Sequence, residues 1–159
     1  TEEGKKLIEI FRKNRKNTYI VLAATAILCT LLNNIITLAI YPSYIQIYGG
    51  LLFIFAGIIV LMAAKRAISN SGQYWSFADP QPVLVAEGIY MFSRNPVILS
   101  YLLLFTGLFI FMNNLYGVLL LPTLIWFLGK YAIRAQEAIL LEKFGEAYTD
   151  YAQKIPRWI

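Results

Sequence analysis

Four apolar runs dominate the chain, over residues 18–40, 47–64, 97–112 and 115–131, and they set its predicted elements. The first holds no charged residue and, at about 1.5 Å per helical residue, exceeds a hydrocarbon core of about 30 Å. Pro42 interrupts it, a polar turn around Ser43 and Gln46 follows, and the second run returns to end at Lys65 and Arg66. The third and fourth runs are shorter and only Asn113 and Asn114 part them, a spacing that predicts a tight helical hairpin. Pro122 should kink the fourth helix and free a backbone carbonyl that a neighbour must satisfy. The expected fold class is an all-α integral membrane protein of about four transmembrane helices, the last two a short hairpin. A loop and a C-terminal helix on the cytoplasmic side would form the site.

The polar positions give this pattern a direction. Of the 14 Lys and Arg residues, Lys5, Lys6, Arg12, Lys13, Arg15 and Lys16 precede the first run; Lys65, Arg66 and Arg94 lie between the second and third; Lys130, Arg134, Lys143, Lys154 and Arg157 follow from the end of the fourth. Positive charge beside spans stays cytoplasmic, so both termini and the long loop are expected on that side. One membrane domain, 1–159, then divides into a cytoplasmic segment 1–17, the four runs, a cytoplasmic loop 68–95 and a cytoplasmic tail 132–159. Residues 1–17 are too charged for a signal-peptide core. Leu7, Ile8, Ile10 and Phe11 among those cations fit either a short helix on an anionic leaflet or a plain topology anchor.

Composition narrows the function classes. The apolar and aromatic share is 58% and the charged share 14%, against roughly a quarter charged in soluble domains. The net charge of +5 reflects topology, since the cations flank apolar runs and do not alternate with stacking aromatics as nucleic-acid binding requires. No acidic or basic side chain interrupts the runs before Lys130 at the end of the fourth, which disfavours a pump or transporter; Asn33, Asn34 and Thr37 read as interhelical hydrogen bonders. Cys29 is the only cysteine and histidine is absent, so neither a disulfide nor a metal site is expected, and chemistry falls to carboxylates, amides, arginine and tyrosine.

Two segments carry candidate chemistry. The loop 68–95 holds Tyr74, Trp75, Phe77, Asp79, Pro80 and Pro82, and closes with Glu87-Gly88-Ile89-Tyr90-Met91-Phe92-Ser93-Arg94-Asn95-Pro96, where Pro96 suits the first turn of a helix. After the fourth run, Arg134 and Glu137 share a helical face. Gly145 should end that helix in a left-handed cap, and Tyr148, Tyr151, Ile155 and Trp158 would lie along the membrane interface. Taken singly, Arg94 also reads as a snorkelling anchor, Glu137 as a solvated charge and the tyrosines as an aromatic belt.

Together the two segments resemble one family. Gly88-Ile89-Tyr90 with Arg94-Asn95-Pro96 is similar to Gly-x-Tyr-x-x-x-Arg-His/Asn-Pro-x-Tyr, and Gln136-Glu137, Leu140, Phe144-Gly145, Tyr148, Tyr151 and Pro156-Arg157 are similar to Glu-Glu-x-x-Leu-x-x-x-Phe-Gly-x-x-Tyr-x-x-Tyr. Both patterns occur in integral-membrane methyltransferases, which include isoprenylcysteine carboxyl methyltransferases and phospholipid N-methyltransferases. The resemblance spans residues 83–158; Asn95 stands where histidine is frequent, Ile98 replaces an aromatic, Ser100 a glycine and Gln136 an acid.

The resemblance implies methyl transfer from S-adenosyl-L-methionine to a lipid-borne or lipophilic acceptor, a prenylcysteine-like carboxylate or a phospholipid amine. It implies a cofactor pocket lined by Tyr90, Arg94, Asn95, Pro96 and Glu137, with Val83, Leu84 and Val85 alongside, and catalytic candidates Glu137, Arg94 and Glu87. Arg94 would pair with the methionine carboxylate, Glu137 would accept from ribose or the amino group, and Tyr90 would pack against adenine or the sulfonium. Lacking histidine, the chain tilts toward an acceptor that is already anionic. A prokaryotic cell membrane is expected ahead of endoplasmic reticulum. Two other readings stand beside this one: an NADPH-dependent membrane reductase of the sterol-reductase type, which has a similar tail, and a catalytically silent membrane scaffold.

Overall fold

The computed structural model describes residues 2–36, 42–72 and 84–158. The far end of the first run, including Thr37, and the loop residues Tyr74, Trp75, Phe77, Asp79, Pro80, Pro82 and Val83 lie outside the described residues, as do the side chains of Leu7, Ile8 and Phe11. Every regular element among the described residues is helical: α1 (Glu2–Ile35), α2 (Gly50–Asn70), α3 (Pro96–Phe111), α4 (Leu115–Phe127), α5 (Arg134–Phe144) and α6 (Glu146–Lys154). Wider π-helical turns at Ile45–Gly49 and Leu128–Ile133 lead into α2 and join α4 to α5, and a 3₁₀ turn, Gly88–Met91, precedes α3.

Two helices run past the bounds of the apolar runs they contain. The charged N-terminal segment and the first apolar run as far as Ile35 form one unbroken helix, because lysine, arginine and glutamate are good helix formers and polarity alone does not end a helix. The fourth run likewise does not stop near residue 131 but continues through the π-helical turn to Phe144. Pro122 sits inside α4. Gly145 does break the chain, with φ 52° and ψ −122°. That ψ lies outside the left-handed cap, so the chain turns directly into α6 through a conformation open chiefly to glycine.

The closest helix contact, α2 against α3, runs along glycines. A Cβ on Gly107 would stand 2.7 Å from the Gly50 oxygen and the Ile54 nitrogen, one on Gly57 2.8 Å from Leu104, and one on Gly50 2.7 Å from the Phe111 Cβ. Small residues at these points let two backbones approach. At the next turn Asn113 adopts φ 50°, and Asn114, fully buried, caps α4 by accepting from the Gly117 N–H at 3.1 Å. The same Asn114 amide donates to the Cys29 carbonyl of α1 at 3.0 Å, tying the hairpin to the first helix. Leu22, Leu102, Leu124 and Leu128 form a core joining α1, α3 and α4, on which Ile98, Phe105 and Trp158 pack.

Ile45–Asn70 and Leu115–Phe144 are each long and apolar enough to cross a membrane, while Tyr19–Ile35 and Pro96–Phe111 are shorter apolar helices. The apolar windows of the two long ones are only 17% and 22% buried. Leu52, Phe55, Ile59, Met62 and Leu119 point outward, forming a surface that water penalises. Within the apolar helices, Thr30, Ser100 and Thr106 return their hydroxyls to the Ala26, Val97 and Leu102 carbonyls at 2.8, 2.6 and 2.7 Å, so no solvent is needed to satisfy them.

Gly107→Ala should lower the thermal unfolding midpoint in detergent by roughly 3–10 °C, since the methyl meets backbone that has no room to yield. Gly129→Ala, where nothing lies within 4 Å of the added carbon, should leave it unchanged. Equal midpoints for both variants would remove the glycine seam from the account.

Candidate functional site

The two motif segments are brought together by the last residues of the chain. Ile155 is extended, with φ −113° and ψ 127°, as the residue before Pro156 is required to be, so α6 ends and the tail passes across the turn that opens α3. There the Arg94 N–H donates to the Pro156 carbonyl at 3.0 Å. The Ser93 hydroxyl and the Asn95 side-chain amide both donate to the Arg157 carbonyl, at 3.0 and 3.3 Å. Ser93 is fully buried and Asn95 nearly so. Asn95 occupies the N-cap position of α3 without capping it; its side chain is spent on holding the tail.

The clamp sets a charged cluster. The Arg157 guanidinium donates to Glu137 through two nitrogens, Nε to Oε1 at 2.9 Å and Nη2 to Oε2 at 2.6 Å. Arg94 Nη1 pairs with Glu137 Oε1 at 2.9 Å and donates to the Tyr148 hydroxyl at 3.2 Å. Glu137 and Arg94 keep 15% and 14% of their side-chain surface exposed, whereas Arg157 keeps 44%. The inner pair is therefore shielded from water and the outer arginine is not. Arg94 Nε is buried with no hydrogen-bond partner among the described residues, an unfilled donor beside a built ion cluster.

Tyrosines complete the wall. Tyr151 donates its hydroxyl to the Tyr90 carbonyl at 2.7 Å, and the Tyr148 and Tyr151 rings lie 6.4 Å apart. Expected from spacing at the membrane interface, these two rings instead turn inward and fasten α6 to the 3₁₀ turn. Burial holds all three hydroxyls protonated. Tyr90 is pushed up, with Tyr151 adding to the effect; Tyr151 is pushed up to about 12 against the pull of Arg94. Tyr148 is raised by burial and by the Glu137 carboxylate, which outweigh its bond to Arg94. The bidentate carboxylate likewise raises Arg157.

Of the residues singled out from sequence, Arg94, Asn95, Tyr90 and Glu137 converge within this network. Pro96 is fully buried beneath it at the first turn of α3, Val85 is buried and Leu84 half-buried. Glu87 is exposed before the 3₁₀ turn, and the hydrogen bonds and ion pairs of the cluster do not extend to it. Arg134 is exposed and lines a neighbouring cleft together with Arg157. Sequence reasoning gave no role to Ser93 or Arg157. The local signal for Arg157 is Pro156, which forces the preceding residue to be extended, yet its carboxylate partner lies 20 positions away.

A family model described as phospholipid methyltransferase matches residues 45–147. A protein-S-isoprenylcysteine O-methyltransferase of Schizosaccharomyces pombe is 30% identical over 100 residues, covering 60% of this chain and 42% of that protein. Protein-S-isoprenylcysteine O-methyltransferase B of Arabidopsis thaliana is 26% identical over 142 residues, covering 84% of this chain and 71% of that protein. The chain thus spans less than half the length of the first relative. No solved structure matches it.

The raised tyrosines fix a pH dependence. Because unfolded tyrosine ionises near about 10 and Tyr151 in the fold only near about 12, their protonated form contributes stability that is complete below about pH 10 and lost as pH rises through 12. The unfolding midpoint should fall over that window, and Tyr151→Phe should flatten the fall and remove a late step from the ultraviolet ionisation curve. A late step that survives Tyr151→Phe would assign it elsewhere.

Proposed function

The chain belongs to the phospholipid methyltransferase family, and on that premise we propose that it transfers a methyl group from S-adenosyl-L-methionine to a lipid-borne or lipophilic acceptor at the cytoplasmic membrane face. The observation that carries the proposal is the unpartnered Arg94 Nε beside the Arg94–Glu137–Arg157 cluster, at the junction of the two segments that resemble the family's motifs. An unfilled guanidinium donor in a shielded site fits a carboxylate such as that of the cofactor's methionine part. Glu137 supplies an acceptor beside it, and Tyr90 joins the same network through the bond from Tyr151 to its carbonyl, so the residues present suit the group.

When bound, S-adenosylmethionine supplies a methyl group already activated on a sulfonium sulfur. What remains for the protein is to bind, to orient and to exclude water, and positioning alone supplies a large part of such a barrier reduction. Arg94 would hold the carboxylate end, and Glu137 would accept from amino or hydroxyl donors as Arg157 yields one of its two bonds. The Ser93 and Asn95 clamp on the Arg157 carbonyl keeps this wall in place. With Tyr90, Tyr148 and Tyr151 held protonated and both Glu137 oxygens engaged, an acceptor that must first lose a proton finds no free base among these groups. This favours an oxygen acceptor already ionised at neutral pH, consistent with the O-methyltransferase names of the two relatives.

The membrane setting is part of the proposal. Four helices would cross: the two long ones, and the shorter Tyr19–Ile35 and Pro96–Phe111 with local thinning of the bilayer or flanking residues making up a shortfall of a few ångströms. The placement of Lys and Arg beside them supports a cytoplasmic site.

S-adenosylhomocysteine should raise the thermal midpoint of the purified protein, and NADPH should not. Glu137→Ala and Asn95→Ala should each weaken S-adenosylhomocysteine binding about tenfold or more while the helices stay folded, the first by loss of a charged acceptor and the second by release of the tail. Labelled methyl transfer into a total lipid extract should yield a base-labile ester. Protection by NADPH alone, or unchanged affinity in both variants, would sink the proposal.

A further inference from the structure

Beside the cluster, sharing Arg157 with it, lies a cleft of about 450 Å³, ample for a phospholipid headgroup, since pockets of about 300–1,000 Å³ hold whole drug-sized ligands. Its apolar walls are Ile125, Trp126 and Trp158, and its polar lining is Lys130, Arg134 and Arg157. All three ionisable groups of the lining are cations. Trp126 is 60% exposed, and the Lys130 ammonium rests 4.9 Å from its ring centroid, so the charge is held on the wall by an aromatic face. Trp158 reaches the cleft because the tail clamp carries it onto the helix core.

The position of these residues along the helix matters as much as their kind. Ile125 and Trp126 end the apolar stretch of α4, and Lys130 and Arg134 follow within two turns. In a membrane that sequence of wall, indole and cation spans the step from acyl chain to headgroup. Apart from Arg157, the cleft shares no lining residue with the cluster assigned to the methyl donor.

We propose that this cleft binds the headgroup of an anionic phospholipid of the surrounding bilayer, with Lys130, Arg134 and Arg157 meeting the phosphate and Trp126 and Trp158 meeting the glycerol and upper acyl chain. The proposal rests on the membrane placement of the helices and is independent of the methyl-transfer reading. Arg157 links the two sites, because a phosphate that takes one of its nitrogens loosens its hold on Glu137.

The test uses the full chain carrying Trp75→Phe, which leaves Trp126 and Trp158 as reporters, reconstituted in phosphatidylcholine with brominated phosphatidylglycerol or brominated phosphatidylcholine at constant ionic strength. Quenching should show a preference of roughly thirtyfold or more for the anionic lipid, near what two to three interfacial cations confer. Lys130→Gln with Arg134→Gln should reduce the preference to below about twofold, while Lys130→Arg with Arg134→Lys retains it. S-adenosylhomocysteine binding should persist in both double variants, which separates failure here from failure of the methyl-transfer reading. Equal quenching by the two lipids overturns the proposal, as does a preference that survives the glutamine substitutions. Loss of the preference to millimolar inorganic phosphate at matched ionic strength would mark a site for a free anion and overturn it equally.

Discussion

The Glu137 carboxylate lies between two guanidinium groups, Arg94 from the entry to α3 and Arg157 from the chain's last turn, and the arrangement of the charged end of the molecule follows from it. The shielded Arg94–Glu137 pair is costly to disturb, because removing Arg94 leaves the carboxylate with reduced access to water and only the exposed Arg157 to meet it. The cluster therefore fixes where α5 stands relative to α3. It also requires the tail to double back after α6, which the positive-φ turn at Gly145 and the extended Ile155–Pro156 step allow. Backbone groups complete the restraint: the Pro156 and Arg157 carbonyls are taken up by Arg94, Ser93 and Asn95.

Away from that end the structure depends on close approach in place of charge. Apolar helices surrounded by lipid gain little from hiding apolar surface, so their association falls to van der Waals contact and to buried hydrogen bonds. Gly50, Gly57 and Gly107 supply the first between α2 and α3, and Asn114 supplies the second by spending its amide on the Cys29 carbonyl of α1. These contacts hold a frame on which the entry to α3 and the start of α5 present their motif residues to one another. The outward apolar side chains of the same helices have no such task and are left exposed.

The chemistry proposed for the site follows from what its groups have left to offer. The three tyrosines are held protonated, with the Tyr151 hydroxyl donating to the Tyr90 carbonyl and the Tyr148 hydroxyl accepting from Arg94; the amide of Asn95 is engaged with the tail, and Glu137 is shared between two arginines. Arg94 Nε remains as an unfilled buried donor, and the outer guanidinium of Arg157 faces a cleft of cations and indoles. Such a site is equipped to hold anions in register and poorly equipped to move protons. That matches a reaction in which the transferred group arrives activated.

Helix-forming runs, their order and the Asn113–Asn114 turn were legible in the sequence, since each rests on short-range pattern such as apolar length or a proline or glycine at a boundary, and the motifs named Tyr90, Arg94, Asn95 and Glu137, which the fold brings into one network. Local pattern left open whether the helix continues through residue 17, where polarity changes and α1 runs on, and where the tail tyrosines go, since their spacing fits an interface as well as an inward wall. Tertiary structure alone decided that Glu137 pairs with Arg94 and Arg157, that Asn95 holds the tail, that Asn114 joins α1, and which glycines are seams. Each of these joins groups whose separation along the chain says nothing about their distance in space. Only the packing of helices and the reversal of the tail bring them within hydrogen-bonding range.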